Sequence, residues 1–113
     1  MKNSQLYKGS LSTIIMKLLS ENSKMYGYEI TQKVKEMTTG ELKITEGALY
    51  PALHKLEADG LLESETVKID NRIRKYYKIT QKGTIETISL LQELDEFIKN
   101  MQNIVLPNLK PTL

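Results

Sequence analysis

Apolar residues in this chain recur at spacings of three and four in three successive stretches, then alternate with polar ones, then return to helical spacing over a long final run. In the first stretch Leu11, Ile14, Ile15, Leu18 and Leu19 share a face and predict a helix over residues 8–21, with Ser10 or Ser12 as its cap. The polar residues that follow, up to Met25, predict a short loop. A second helix is expected over 28–38, with Ile30, Val34 and Met37 inward, Lys33, Lys35 and Glu36 outward, and Gly40 as its stop. Residues 42–44 read as a small strand.

The stretch 45–62 is the one around which the rest is arranged. Leu49, Ala52, Leu53 and Leu56 make an apolar stripe that must be buried if this is a helix. Its other face carries Gly47, Pro51, His54 and Ala58, flanked by Ala48, Tyr50 and Lys55, so its leading half is almost free of long side chains and can come close to a ligand. Thr45 is the expected N-cap and Gly60 the stop. Pro51 removes one amide bond and presses on the carbonyl of Gly47, whose backbone adjusts at little steric cost, so one helix with a bend is expected. An ordinary core helix kinked by proline has the same pattern.

Residues 61–69 and 73–79 are rich in β-branched and aromatic residues, with Asp70-Asn71-Arg72 as the turn between two strands. Alternation puts Ile73, Lys75, Tyr77 and Ile79 inward and Arg74, Tyr76 and Lys78 toward solvent. Thr80 then caps a helix that runs to Val105, because Pro107 disfavours helical geometry at Leu106. Leu91, Leu94, Ile98, Met101 and Val105 form a heptad-like seam on it, with Ile88, Leu90 and Phe97 beside the seam. At 1.5 Å per residue this helix is about 37 Å long, more than so small a domain can cover. A two-fold homodimer through this seam is expected, the alternative being that the helix folds back along the first helix of its own chain. Residues 107–113 read as an extended or disordered tail.

Composition narrows the function. No window holds the roughly 18 apolar residues of a membrane span, and the N-terminus lacks the apolar core of a secretory signal, so a cytoplasmic protein with no membrane partner is expected. The chain has no Cys and a single His, which excludes disulfides, thiolate zinc sites and cysteine nucleophiles and leaves no evident catalytic constellation; neither an enzyme nor a cofactor is expected. Net charge is only +2, but residues 68–82 carry six basic side chains against Asp70 alone, whereas Glu86, Glu93, Asp95 and Glu96 face only Lys99 over 84–106. Such a local positive excess attracts a polyanion.

Three helices, a basic β-hairpin and a long final helix make a mostly α (α+β) winged helix-turn-helix, with residues 1–80 as the DNA-binding unit and 81–106 as a dimerisation helix. The residues also resemble a known family. Tyr26-Gly27-Tyr28-Glu29-Ile30, the run from Glu46 to Leu53, Leu56-Glu57, Gly60-Leu61-Leu62, and the run from Arg74 to Thr80 with Gly83 are similar to the PadR family of bacterial transcriptional regulators, over roughly residues 6 to 105. The resemblance implies a homodimer, usually a repressor, that binds a palindromic operator near genes for detoxification, efflux or stress responses. It further implies that the central helix enters the major groove while the wing follows the neighbouring backbone or minor groove.

A groove about 12 Å wide admits the slim face of Gly47, Ala48 and Pro51, from which Tyr50, His54 and Lys55 can reach phosphates or base edges. Thr45 and the amides of the first turn can hold a phosphate, and Arg72, Arg74, Lys75 and Lys78 can supply the sequence-blind attraction. Tyr28 either contacts a phosphate or packs internally, and Tyr50 either reaches the DNA or packs its ring at the edge of the core with the hydroxyl in water. Some members of the family hold flat aromatic ligands between paired tryptophans of the final helices. This chain has no Trp, and Leu94 stands about where that aromatic would be, so the resemblance leaves a smaller apolar effector pocket at Leu91, Leu94, Phe97, Ile98, Met101 and Val105, or plain packing. A winged-helix module that binds protein rather than DNA is the competing reading of the whole pattern.

Overall fold

The computed structural model describes residues 4–106, which leaves the expected tail at 107–113 outside the described residues. Five helices and three strands follow one another as α1 (Ser4–Lys8), α2 (Leu11–Glu21), β1 (Met25–Tyr26), α3 (Gly27–Met37), α4 (Glu46–Ala58), β2 (Leu62–Ile69), β3 (Arg72–Ile79) and α5 (Gln81–Val105). The helix expected over 8–21 starts later, because the chain turns at Gly9, where the Ser10 amide donates to the Tyr7 carbonyl at 2.9 Å. Ser10 takes the N-cap position of α2 but makes no side-chain cap bond.

Two other expectations are corrected. Residues 42–44 form no strand, because their backbone is tied to the end of α3: the Leu42 amide donates to Thr38 Oγ1 at 3.0 Å, and that hydroxyl donates to the Val34 carbonyl at 2.8 Å. The third strand is β1, an antiparallel neighbour of β3 with Met25 opposite Tyr77 and Tyr26 opposite Tyr76. Met37, expected inward, is 65% exposed, since the buried face of α3 ends at Val34.

The core forms where the apolar stripes meet. Ile15, Met16, Leu18 and Leu19 of α2, Ile30 and Val34 of α3, and Leu49, Leu53 and Leu56 of α4 close over Met25, Leu62 and Tyr77 of the sheet. α4 is a single helix with Pro51 inside it and Thr45 as N-cap, the Thr45 hydroxyl accepting from the Ala48 amide at 3.2 Å. It ends at Gly60, which adopts φ +77°, a conformation that suits glycine.

β2 and β3 pair in full register from Leu62 opposite Ile79 to Ile69 opposite Arg72, so the turn is Asp70-Asn71 alone and Arg72 belongs to the strand. Both turn residues have positive φ, 48° and 64°, as a two-residue hairpin with the right-handed strand twist requires. The outer half of this hairpin projects past the core. Ile73, expected inward, is therefore 78% exposed, whereas Tyr77 on the same face is buried.

α5 is anchored at its start. The Thr80 hydroxyl accepts from the Gly83 amide at 3.0 Å and donates to the Gly60 carbonyl at 2.7 Å, while Lys82 Nζ donates to the Asp59 carbonyl at 2.9 Å. Gly83 is buried against the Leu61 carbonyl and the Ile79 side chain, which leave no room for a Cβ. The first half of α5 packs along α2 of its own chain, with Leu90 against the core and Leu91 and Leu94 half-buried. Its second half leaves the body: Phe97, Ile98, Met101, Ile104 and Val105 are exposed by 39% to 76%.

The Tyr77 hydroxyl is buried without a hydrogen-bond partner among the described residues, an arrangement that ordinarily costs about 1–3 kcal/mol. In urea denaturation Gly83→Ala is expected to lower stability by about 1–3 kcal/mol through overpacking, whereas Tyr77→Phe is expected to leave it unchanged or raise it. Equal stability of Gly83→Ala and the parent protein would refute the close approach.

Candidate nucleic-acid interface

Burial of Leu49, Leu53 and Leu56 turns the opposite face of α4 to solvent, where Gly47, Ala48, Pro51, His54, Lys55 and Ala58 are all exposed. With Gly47 and Ala48 at its leading end and no amide hydrogen on Pro51 to occupy the Gly47 carbonyl, this end is slim and keeps backbone groups within reach of a neighbour. Tyr50 is at the margin, 36% exposed, and its ring packs at the edge of the core as one of its two options had it, but without the hydroxyl standing in water. Its ring lies 6.4 Å from that of His54, and its hydroxyl end packs on Gly27, where a Cβ would stand 2.5 Å from the oxygen. The glycine of the Tyr26-Gly27-Tyr28 run is thus the seat of Tyr50, a pairing that sequence spacing cannot reveal.

That seat joins α4 to the start of α3 and so to the wing. The Tyr26 amide donates to Glu29 Oε1 at 3.1 Å, which steadies the first turn of α3. The Tyr26 ring stacks on Tyr28 at 6.4 Å and meets the edge of Tyr76 at 5.5 Å, and Tyr28 itself is 63% exposed. The Arg74 guanidinium lies over the Tyr26 ring, 4.1 Å from its centre. Hydrogen bonding with Tyr76, and the nearby Tyr26 and Glu29, hold the Arg74 pKa above its ordinary value. Arg74 is therefore a fixed cation on the outer face of the sheet.

Lys75 points the other way. It faces α4, with Nζ 3.7 Å from Glu57 Oε1 and 5.3 Å from the centre of the Tyr77 ring. Glu57 is a residue that sequence reasoning passed over: its second carboxylate oxygen accepts from the Ser64 hydroxyl at 2.5 Å, so one side chain grips both wing strands. The only hint was its place in the Leu56-Glu57 pair, at the end of the α4 stripe.

Charge pairing then separates the cations. Lys24 is paired with Glu65 at 3.0 Å, which holds the Glu65 carboxyl below its usual range, and Lys78 is paired with Glu63 at 3.4 Å. By contrast Lys55, Lys68, Arg72 and Arg74 form no salt bridge among the described residues. Lys33 and Lys35 form none there either, so uncompensated positive charge lies along α3, α4 and the wing.

Within one chain, the residues expected at an effector pocket divide into two groups. Leu91 and Leu94 line an apolar cavity of about 260 Å³ with Tyr7, Ile14, Leu18 and Met37, between α2, α3 and α5 of one chain. Phe97, Ile98, Met101 and Val105 lie further along α5, beyond the body. No group of three His, Cys, Asp or Glu side chains able to hold a metal occurs among the described residues, and no helix there is long and apolar enough to cross a membrane.

The seat of Tyr50 can be tested directly. Gly27→Ala is expected to displace the ring and shift the Tyr50 resonances in the NMR spectrum, whereas Gly47→Ala, with nothing nearer than Thr45 Oγ1 at 4.0 Å, should leave them in place. Unchanged Tyr50 resonances in Gly27→Ala would contradict the contact.

The chain is similar to known proteins in both sequence and fold. Residues 15–89 match the model of the transcriptional regulator PadR-like family. A transcriptional regulator of Mycobacterium tuberculosis is 34% identical over 80 residues, covering 71% of this chain and 72% of that protein. Among solved structures, a transcriptional regulator from Clostridium thermocellum superposes with a TM-score of 0.83 at 31% identity, covering 89% of this chain and 98% of that one. A PadR-like transcription factor from Bacteroides fragilis gives 0.72 at 38% identity, covering 90% and 96%. These relatives are regulators rather than enzymes, and by fold and sequence this chain belongs to the PadR-like family of transcriptional regulators.

Proposed function

We propose that this chain is a dimeric, sequence-specific DNA-binding repressor that takes a palindromic operator in double-stranded DNA. Residues 1–80 form the DNA-binding unit, and residues 81–106 the dimerisation helix. The observation that carries this reading is the slim exposed end of α4, joined through the seat of Tyr50 on Gly27 to Tyr26 and Arg74, with Lys55, Arg72 and Arg74 in no salt bridge among the described residues. In the complex α4 lies in the major groove with Ala48, Tyr50, Pro51, His54 and Lys55 toward base edges and phosphates. Thr45 and Tyr28 meet the backbone at the two helix starts, and Arg72 and Arg74 on the wing follow the adjoining phosphates. Lys75 serves the wing from its inner face, where it is shared with Glu57.

Dimerisation follows from the outer half of α5. Phe97, Ile98, Met101 and Val105 expose a continuous apolar strip that gains by burial against its own copy, at roughly 25 cal/mol per Å² of apolar surface covered. By resemblance to the family, the regulated genes serve detoxification, efflux or stress responses, and an effector is a small apolar molecule seated beside Leu91 and Leu94.

Gly47 offers a test that separates folding from function. An alanine there meets open space and is the better helix former, so Gly47→Ala should match or exceed the parent in stability, by up to about 1 kcal/mol. It should nevertheless bind duplex DNA more weakly, because the added methyl group stands between the helix and the base edges. Fluorescence anisotropy with a duplex selected by the purified protein measures this; undiminished affinity would place the face outside the groove. In the same assay Arg72→Ala should weaken binding to all sequences alike and reduce the slope of log K against log salt by about one.

For the dimer, Ile98→Glu is expected to shift the protein toward monomer in sedimentation equilibrium. A parent protein that stays monomeric at micromolar concentration would refute the assignment of α5.

A further inference from the structure

We propose that Tyr26 is a positioning residue for DNA binding, its ring being the platform that holds the Arg74 guanidinium ready for a backbone phosphate. The inference rests on the DNA-binding reading above and adds to it a residue with no expected part in the contact. Arg74 forms no salt bridge among the described residues. Glu29, the carboxylate whose charge acts on it, accepts from the Tyr26 amide at 3.1 Å, and Glu65, two residues from its cross-strand partner, is paired with Lys24 at 3.0 Å. Its partner directly across the hairpin is Val67, which carries no charge. The guanidinium rests instead on the Tyr26 ring at 4.1 Å.

A stacked guanidinium keeps its planar face on the ring, and with Tyr76 taking only part of its N–H edge the remaining donors can turn to a phosphate. The ring is itself held, by Tyr28 on one side and Tyr76 on the other, and by the β1 pairing that sets Tyr26 opposite Tyr76. A long side chain fixed before binding loses less freedom on binding. The platform also adjoins α4, since Gly27, the next residue along, seats Tyr50. The cluster is therefore continuous with the face assigned to the groove, and because phosphates are its target, its contribution is blind to sequence.

The test is a set of variants measured by anisotropy on two duplexes, one selected by the protein and one of mixed sequence, across a salt titration. Tyr26→Leu should weaken binding about three- to tenfold on both duplexes, and Tyr26→Phe, which keeps the ring, should restore it. Combining Tyr26→Leu with Arg74→Ala should add little to the loss from Arg74→Ala alone, and the Arg74 side-chain NMR signals should lose their ring-current shift in Tyr26→Leu. Should Tyr26→Leu fail to fold, Arg74→Lys decides: it keeps the charge but not the flat stack, and should lose affinity likewise. A parent protein that binds neither duplex overturns the DNA-binding reading, and this inference with it. A parent that binds while Tyr26→Leu or Arg74→Lys binds equally well, or additive losses in the double variant, overturns the platform alone.

Discussion

Burial of three leucines decides which way α4 faces. Leu49, Leu53 and Leu56 each gain roughly 1.5–3 kcal/mol on leaving water. Together they outweigh the helix penalties of one interior proline, about 3 kcal/mol, and one glycine, about 1 kcal/mol. The helix can therefore carry Gly47 and Pro51 on its solvent side, where neither packs against anything that would require it. Residues that weaken a helix yet stay on its exposed face make sense where a second molecule needs room.

The ends of α4 connect this face to the rest of the molecule. At its start Tyr50 leans on Gly27, which links α4 to the turn entering α3 and, through Tyr26, to Arg74. At its end Glu57 grips Ser64 and Lys75, while Thr80 and Lys82 hold the carbonyls of Gly60 and Asp59. The wing and the base of α5 are thus tied to the same turn of chain. A displacement of α5 at a dimer interface would reach α4 through two hydrogen-bonded carbonyls rather than through a flexible linker.

Much of this architecture is legible in the sequence, because periodicity reports burial. The three core helices, the hairpin and the full length of α5 follow from apolar spacing, and the caps at Thr45 and Thr80 from the chemistry of their side chains. What escaped has physical reasons. β1 is two residues long, too short to show a period, and exists only because β3 offers it an edge. Ile73 obeys the alternation of its strand but sits where the hairpin has outrun the core. Of the two alternatives for α5, folding back along the first helix of its own chain holds for the first half, while the seam continues unbroken and exposed past the point where the body ends. Of the candidate site, the exposed face of α4 was readable; the Arg74 stack and the Lys75–Glu57 pair were not, because both join residues distant in sequence.

Methylation protection of guanine N7, an atom exposed only in the major groove, tests the orientation of α4 most directly. On a duplex selected by the purified protein, two protected clusters are expected, separated by about one helical turn, roughly 10 base pairs. Protection of minor-groove adenine N3 alone, or of a single cluster, would contradict an α4 presented twice to the groove.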